Sequence, residues 1–384
     1  MSATIVTLGA GRAALAADWS ETLDASATLA YDTNPALLPG SRIADRSAQL
    51  AVDANTQMAT EVSQLTLTPR FAVIRYAEER NLDITTGSLA LAFQDKGERG
   101  QWTASGLAQT DSTVTSELGE TGISNVNFRH DGYSASLGYQ YLATERLSWS
   151  LQGFGQITRY NGQAERYGLT SYNWGGIQLG PTWSFSDRLQ GSLNLEADEV
   201  SPRNGTHERD ASASVQLKRN LTEQYSWRAS AGATRVEIPG NPGAPTSGVF
   251  ELGATRQGER VQWDLSVKRA VLPIGLGLLA REDVAALSAA VTLTERSTLN
   301  LACNAIRTDP VSLTYYLAPQ ISFRYQVYSG AAWGQASAEW QYHFSPRWAL
   351  SAMYLRARAR NYDVTDWANG NQARLSIVWQ SGRP

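Results

Sequence analysis

The sequence is poor in residues that metal and redox chemistry require. Its 384 residues include a single cysteine, Cys303, and three histidines. One cysteine cannot form an internal disulfide, and His130, His207 and His343 do not show the spacing of metal ligands. A net charge of −3 gives no basis for binding nucleic acid. We therefore expect neither a metal site nor a cofactor.

Long apolar segments are missing as well. The hydrophobic content is 42%, the mean hydropathy is −0.32, and no run of about eighteen apolar residues is present to form a transmembrane helix. A transmembrane β-barrel suits this composition, because only every second strand residue faces lipid while the lumen stays polar. No linker or change of composition divides the chain, so we predict one barrel domain over 18–380 and a short tail over 381–384.

Residues 1–17 have the features of an imperfect signal peptide. Ala14, Leu15 and Ala16 form an A-x-A cleavage site just before Asp18, but the apolar stretch is short and lacks the usual basic start. A disordered cytosolic tail is the alternative for this segment.

A short turn recurs along the sequence and sets its rhythm. Five copies begin with serine or threonine, and three looser copies continue the series at intervals of roughly 36 to 50 residues, which suits two strands and a long loop. The turns are Thr144–Arg146, Ser186–Arg188, Thr222–Gln224, Thr294–Arg296 and Ser345–Arg347, with looser copies at Thr60–Glu61, Asp95–Gly100 and Gln257–Arg260.

The segments between these turns alternate apolar and small polar residues, which is the pattern of half-buried β-strands. Eight turns divide the chain into nine segments of two strands each, and this predicts an all-β, antiparallel up-and-down barrel of about 18 strands. An error of one hairpin would give 16. The weakest boundaries are the strand between Ser124 and Tyr141 and the loop Asp309–Gly330. A soluble β-propeller also repeats near 40 residues, but its strands are shorter and need no outward aromatic band.

Tryptophans cluster beside the short turns. Trp149, Trp227 and Trp263 all lie four residues after the middle of a turn. Such a band is typical of the aromatic girdle at a membrane interface, although aromatic residues also serve as ordinary core. The predicted girdle consists of Trp19, Trp102, Trp149, Trp183, Trp227, Trp263, Trp340, Trp348 and Trp379.

Arginines follow on the same face of the strands as the tryptophans. They lie about 20 Å above the tryptophans along the barrel axis, after allowance for strand tilt. A guanidinium at that height is suited to binding the phosphates of lipopolysaccharide. Solvated arginines at loop bases are the alternative. The predicted lipopolysaccharide-facing residues are Arg159, Arg235, Arg307 and Arg358.

The opposite face of the strands carries serine, threonine, glutamine, asparagine and charges of both signs. Such a wall suits hydrated solutes, including sugars, and predicts no strong ion preference, although any wide barrel needs a polar interior. The predicted lumen residues are Asp24, Asp53, Arg70, Glu196, Asp198, Lys218, Arg228, Glu251, Asp264, Lys268, Glu339 and Arg374.

No residue pattern predicts a catalytic site. Ser345 near His343 is the one local nucleophile–base pair, and its position predicts a turn. Glu196 and Asp198 share a face as ordinary lumen residues. The segment Pro273–Leu279 is unusually apolar for a loop, which suggests a constriction in the mouth, a partner contact or simple loop packing.

Tyr31–Asn34, reading Tyr-Asp-Thr-Asn, together with the turn contexts Leu221–Tyr225 and Leu293–Ser297, resembles a family of outer-membrane β-barrel porins. Some members accompany exopolysaccharide-production systems. The resemblance implies residence in the bacterial outer membrane, insertion by the barrel-assembly machinery, and no catalytic residues. The chain departs from such barrels at its C-terminus, where Trp379 is followed by five further residues.

Three functions follow from this sequence. The first is a conduit for an exopolysaccharide, which implies periplasmic export components as partners. The second is a general or sugar-selective diffusion porin for small hydrophilic solutes. The third is a structural or adhesive barrel that conducts nothing. The absence of an acidic loop of the kind that porins fold inward favours the first.

Overall fold

Eighteen strands account for nearly all of the described chain. The computed structural model describes residues 17–41, 43–114, 117, 127–164, 168–203, 205, 207–238, 245–311, 330–361 and 366–381. Within these ranges no helix is long and apolar enough to cross a membrane. The strands are β1 Asp18–Asp32, β2 Asp45–Ala59, β3 Ser63–Tyr76, β4 Ile84–Lys96, β5 Gly100–Ser112, β6 Arg129–Thr144, β7 Leu147–Tyr160, β8 Tyr172–Ser186, β9 Leu189–Pro202, β10 Glu208–Asn220, β11 Tyr225–Glu237, β12 Thr246–Gln257, β13 Val261–Ile274, β14 Leu278–Thr294, β15 Ser297–Pro310, β16 Ala331–Ser345, β17 Trp348–Asn361 and β18 Ala368–Gln380, with a single 3₁₀ turn at Arg80–Leu82.

The sheet closes on itself. Each strand pairs antiparallel with its sequence neighbours, and β1 pairs with β18 from Asp24 opposite Gln380 to Asp32 opposite Gln372. The predicted up-and-down barrel of 18 strands is confirmed. Closure leaves no strand at a free edge of the sheet, which is the condition for placing a sheet in lipid.

Long connections at one end alternate with short turns at the other, as the sequence predicts, with one exception. Strands β13 and β14 are joined at the long-loop end by only Gly275–Gly277, so Pro273–Leu279 is mostly strand rather than loop.

Two other strand boundaries also differ from expectation. Strand β6 begins at Arg129, and β15 continues to Pro310, so the following loop begins two residues later than predicted; its residues 312–329 lie outside the described ranges.

The recurring serine or threonine stabilises the short turns through its side-chain hydroxyl. The Thr144 hydroxyl accepts the backbone N–H groups of Arg146 and Leu147 at 3.2 and 3.0 Å, and the Ser345 hydroxyl accepts those of Arg347 and Trp348 in the same way. The side chain thereby satisfies two donors that the tight turn leaves without strand partners. This explains why the residue type recurs at the first turn position.

Neighbouring short turns are also connected laterally. The carbonyl of Arg146 accepts the N–H of Ser184 from the next hairpin at 2.8 Å, and the carbonyl of Arg347 accepts that of Gln380 at the same distance. Corresponding bonds occur at the other described short turns, at Val62, Arg99, Arg188, Gln224, Arg260 and Arg296.

The Tyr31–Asn34 element stabilises the seam between the first and last strands. Asn34 is 4% exposed; its amide donates to the carbonyls of Leu38 and Asn369, and its side-chain oxygen accepts the N–H of Leu38. Thr33 and Asn371 exchange two further bonds across the seam. The motif therefore has a structural explanation in this chain.

Asn34→Ala is expected to weaken closure of the barrel. The substitution leaves one N–H and two carbonyls without their side-chain partner, at a cost of about 1–3 kcal/mol for unsatisfied buried groups. We expect a lower midpoint of urea unfolding for the detergent-folded protein. Asn194→Ala, on the inner wall away from the seam, provides the control, and an equal shift in both variants would contradict a special role for Asn34.

The outer face carries the lipid-contacting residues. Leu29, Leu50 and Phe71 are exposed on one face of three neighbouring strands, and the register places all nine tryptophans of the predicted girdle on this same face. The nine lie near the short-turn end. A closed sheet with an apolar outer band is stable only in a bilayer, and short turns face the periplasm. The protein is an integral protein of the bacterial outer membrane.

Candidate functional site

The lumen of the barrel is the candidate functional site, and a hairpin identifies which face is inside. Strand β14 contacts β9, although four strands separate them along the sheet. Such a contact is possible only across the interior. It involves the side of the sheet that bears Val200 and Glu208, which is opposite to the leucine-rich face.

The β13–β14 hairpin folds into the mouth of the barrel. Strand β13 pairs with β12 only as far as Arg269, so the remainder of the hairpin extends past the wall. At its tip, Leu279 N–H donates to the Glu208 carboxylate at 2.7 Å, and the Gly275 carbonyl accepts the N–H of Thr170 at 2.8 Å. These partners belong to β10 and to the β7–β8 connection, so the tip narrows the lumen.

The hairpin tip is built from glycines that face close neighbours. A Cβ on Gly275 would overlap the carboxylate of Glu117 and lie 2.9 Å from the Tyr160 hydroxyl, which itself donates to Glu117. Gly277 has φ +72°, and a Cβ there would lie 2.9 Å from Pro202. The two glycines therefore allow the tip to approach the opposite wall closely.

Apolar packing fixes these inserted segments at the long-loop end. Leu279 belongs to one buried cluster beneath the hairpin. Leu37, held at φ +47° beside Asn34, inserts into a second. The clusters comprise Tyr172, Val200, Val236, Ile238 and Leu279, and Leu37, Ile306, Trp333, Ala359 and Ala368. Of the possibilities that the sequence left open for Pro273–Leu279, the structure shows a constriction of the mouth.

The strand register places all twelve residues of the predicted lumen set on the inner face. Ion pairs join some of them. Arg228 donates to Glu251 at 2.5 Å and lies 3.7 Å from Asp264, so three neighbouring strands share one cation. Arg70 lies 3.5 Å from Asp53, where both side chains are exposed and the pair contributes little to stability.

The inner wall carries more carboxylates than the predicted lumen set contains. The same register adds one lysine, Lys96, and seven carboxylates to the inner face, so that fourteen carboxylates face six cations on the strands. The additional carboxylates are Asp18, Asp32, Asp45, Asp111, Glu208, Asp210 and Glu282. This imbalance differs from the expectation of no strong ion preference.

The acidic residues concentrate on β9 and β10. Asp198 and Asp210 lie directly opposite each other across the strand pair, with Glu196 two residues away on the same face. Trp174 donates its indole N–H to Asp198 at 2.7 Å and orients that carboxylate. Asp210 is 8% exposed. Because two carboxylates held side by side share a proton, the pair contributes about one negative charge to the potential beneath the constriction, and Glu196 lies beside it.

The four predicted lipopolysaccharide-facing arginines lie on the outer face, but they have different partners. Arg159 donates to the backbone carbonyls of Thr158 and Tyr172 and to the Asn173 side chain, and Arg235 lies 3.7 Å from Glu237. Arg307 and Arg358 lie above a groove that is described below.

Two serine–histidine arrangements within the described ranges, at Ser345 and at His207, do not form a catalytic relay. The Ser345 hydroxyl caps its turn. At the outer rim, Ser201 and Glu199 both contact Nδ1 of His207, at 3.1 and 2.8 Å, whereas a relay needs the nucleophile and the acid on different ring nitrogens. Among the described residues, no group of three potential ligands is arranged to hold a metal ion.

Comparison with known proteins adds to this description. No family model matches the sequence, and no curated protein matches it. Similar solved structures include OprD of Pseudomonas aeruginosa (11% identity, 94% of this chain and 95% of that chain, TM-score 0.44) and OccK2 of the same organism in complex with glucuronate (11%, 94% and 98%, 0.47). Acinetobacter baumannii OccAB4 is 7% identical over 94% and 98% of the two chains, with a TM-score of 0.45.

The architecture of this chain rests on its own strand pairing. An antiparallel sheet of 18 strands is closed between β1 and β18, has a polar inner wall, and carries an apolar outer band. Barrels of 16–18 strands leave an aqueous interior. The chain is a wide transmembrane β-barrel with a polar interior.

Proposed function

We propose that the protein is a diffusion channel for small hydrophilic solutes, with a preference for cations and neutral molecules over anions. The observation that carries the proposal is the acidic inner wall beneath a constriction formed by the β13–β14 hairpin. Rings and rows of carboxylates attract cations, and a narrowed mouth restricts the size of the solute.

Export of an exopolysaccharide is the function that the resemblance of Tyr31–Asn34 implies, and it receives less support. A polymer requires a continuous wide path through the mouth. The hairpin tip instead extends into the mouth and bonds to Glu208 of β10 and to Thr170 of the β7–β8 connection. The motif itself is accounted for by closure of the seam.

Reconstitution of the purified full-length barrel tests the proposal. We expect stepwise, steady conductance in planar bilayers, and swelling of proteoliposomes in monosaccharides that declines sharply with oligosaccharide length. A folded barrel with no conductance would leave a structural or adhesive role. Loss of exopolysaccharide secretion in a deletion strain, together with passage of long oligosaccharides through the purified barrel, would favour the polymer conduit instead.

A further inference from the structure

The outer wall contains a groove that the channel function does not use. It has a volume of about 670 Å³ and lies over β12 to β17 and the residues just before β18. Its floor is shallow because the outward side chains there are small. They are Ala285, Cys303, Ala305, Ala332, Gly334 and Ala336. A groove of this volume is within the range of ordinary ligand pockets, roughly 300–1,000 Å³.

The groove has apolar sides and a cationic upper margin. Phe250 and Val267 line one side, and Trp367 lines the other. Arg358 lies over the Trp367 ring, with its Cζ 4.7 Å from the ring centroid, and Arg307 and Arg356 also line the groove. An apolar floor beneath several guanidinium groups matches a molecule with aliphatic chains and an anionic head.

The margin keeps a net positive charge after its internal ion pairs are counted. Asp283 pairs with Arg269 through two bonds of 2.5 and 2.9 Å, and Asp309 pairs with Arg281 at 2.7 Å and with Arg307 at 3.0 Å. These two aspartates face five arginines on the outer face of β13–β17 at the groove. The five are Arg269, Arg281, Arg307, Arg356 and Arg358. Within the described ranges, Arg356 and Arg358 form no ion pair with a carboxylate.

The use of arginine rather than lysine on the outer face also favours a ligand that carries phosphate groups. The chain has only three lysines, Lys96, Lys218 and Lys268, and all three face the lumen. The outward cations on the described strands are therefore all arginine. Arginine binds phosphate through two parallel bonds and is less strongly hydrated than lysine, which suits a membrane interface.

The height of the margin identifies the leaflet. Ala332 lies opposite Arg307 and is eight residues along β16 from Trp340 of the girdle. At about 3.3 Å per residue and a tilt of about 40°, the arginines lie roughly 20 Å above that girdle. This is the headgroup level of the outer leaflet, because the girdle is at the periplasmic side.

We propose that this groove is a specific binding site for lipopolysaccharide, with acyl chains on the alanine–glycine floor and lipid A phosphates at Arg307, Arg356 and Arg358. Lipopolysaccharide is the phosphorylated lipid of the outer leaflet. A second copy of the chain is a poorer occupant, because a symmetric contact would bring two arginine clusters together at a cost in like-charge repulsion.

The test measures lipopolysaccharide retained by the full-length barrel after detergent extraction, by native mass spectrometry and phosphate analysis. The groove variant is Arg307→Gln/Arg356→Gln/Arg358→Gln. The matched control is Arg46→Gln/Arg159→Gln/Arg235→Gln, which removes the same charge from the outer face beyond the groove. A third variant, Ala305→Phe, fills the floor without altering charge. Heat-modifiable gel migration checks that each variant is folded.

We expect a several-fold loss of retained lipopolysaccharide in the groove variant and in Ala305→Phe, with little loss in the control. Purified lipid A added back should bind the native barrel in preference to phosphatidylglycerol. Equal losses in the groove and control variants, or equal binding of the two lipids, would overturn the proposal. A change from dimer to monomer without loss of lipopolysaccharide would assign the groove to a second copy. If the triple variant fails to fold, Ala305→Phe decides alone.

Discussion

Gly275→Leu is expected to increase single-channel conductance several-fold and to make it noisier. Even a Cβ at this position overlaps the Glu117 carboxylate, and both Glu117 and Tyr160 are buried against the hairpin tip. We therefore expect the tip to move away from this pair and the mouth of the lumen to widen. Planar-bilayer recording of the reconstituted variant measures the effect directly.

A matched control and a second variant make this prediction decisive. Gly153→Leu adds the same side chain on the outer wall, where a Cβ meets no atom within 4 Å, and should leave conductance unchanged. Glu208→Ala removes the acceptor of the Leu279 N–H and should increase conductance in the same direction as Gly275→Leu. Native conductance in both hairpin variants would show that the tip does not limit flow.

Removing the carboxylates of β9 and β10 is expected to abolish most of the preference for K⁺ over Cl⁻. The variant is Glu196→Gln/Asp198→Asn/Asp210→Asn, which neutralises the side chains that lie together on the inner wall. The native channel should show a reversal potential shifted towards that of K⁺ in a KCl gradient, because fixed negative charge concentrates cations in a narrow aqueous path. The variant should reverse close to zero.

The control for selectivity removes three carboxylates from the outer face. Asp131→Asn/Glu199→Gln/Glu237→Gln replaces the same number of carboxylates at a similar height, but these groups face away from the lumen. Its reversal potential should equal that of the native channel. If both triple variants shift equally, the preference arises from overall charge. If neither shifts, the acidic wall does not act on permeating ions.

The sequence predicts the wall of this barrel well because the information is local. Period two along each strand separates the faces, and the serine and threonine turns set the strand boundaries, as at Thr144 and Ser345. Most of the missed inner carboxylates, among them Asp32, Glu208 and Asp210, lie towards the long-loop ends of strands. Continuing the same alternation to those ends would have found them.

The constriction could not be predicted in the same way. An apolar segment such as Pro273–Leu279 has to be buried, but composition does not specify against which surface. Its direction depends on partners that are distant in sequence, among them Glu117, Tyr160 and Glu208. The lipid groove was missed for a related reason. Its small residues are unremarkable on each strand and form a concave surface only when several strands lie side by side.

Because the lateral bonds between short turns are alike, a whole hairpin can be duplicated or lost as one unit. Each turn offers its carbonyl to the next hairpin in the same manner, from Arg146 to Ser184 and finally from Arg347 to Gln380. One hairpin therefore presents the same rim chemistry as another to whichever hairpin follows it. Duplication or loss of a whole unit changes the circumference by two strands and preserves the parity of every remaining residue. Gain or loss of hairpins can therefore change the diameter of the lumen without substitutions in the remaining strands.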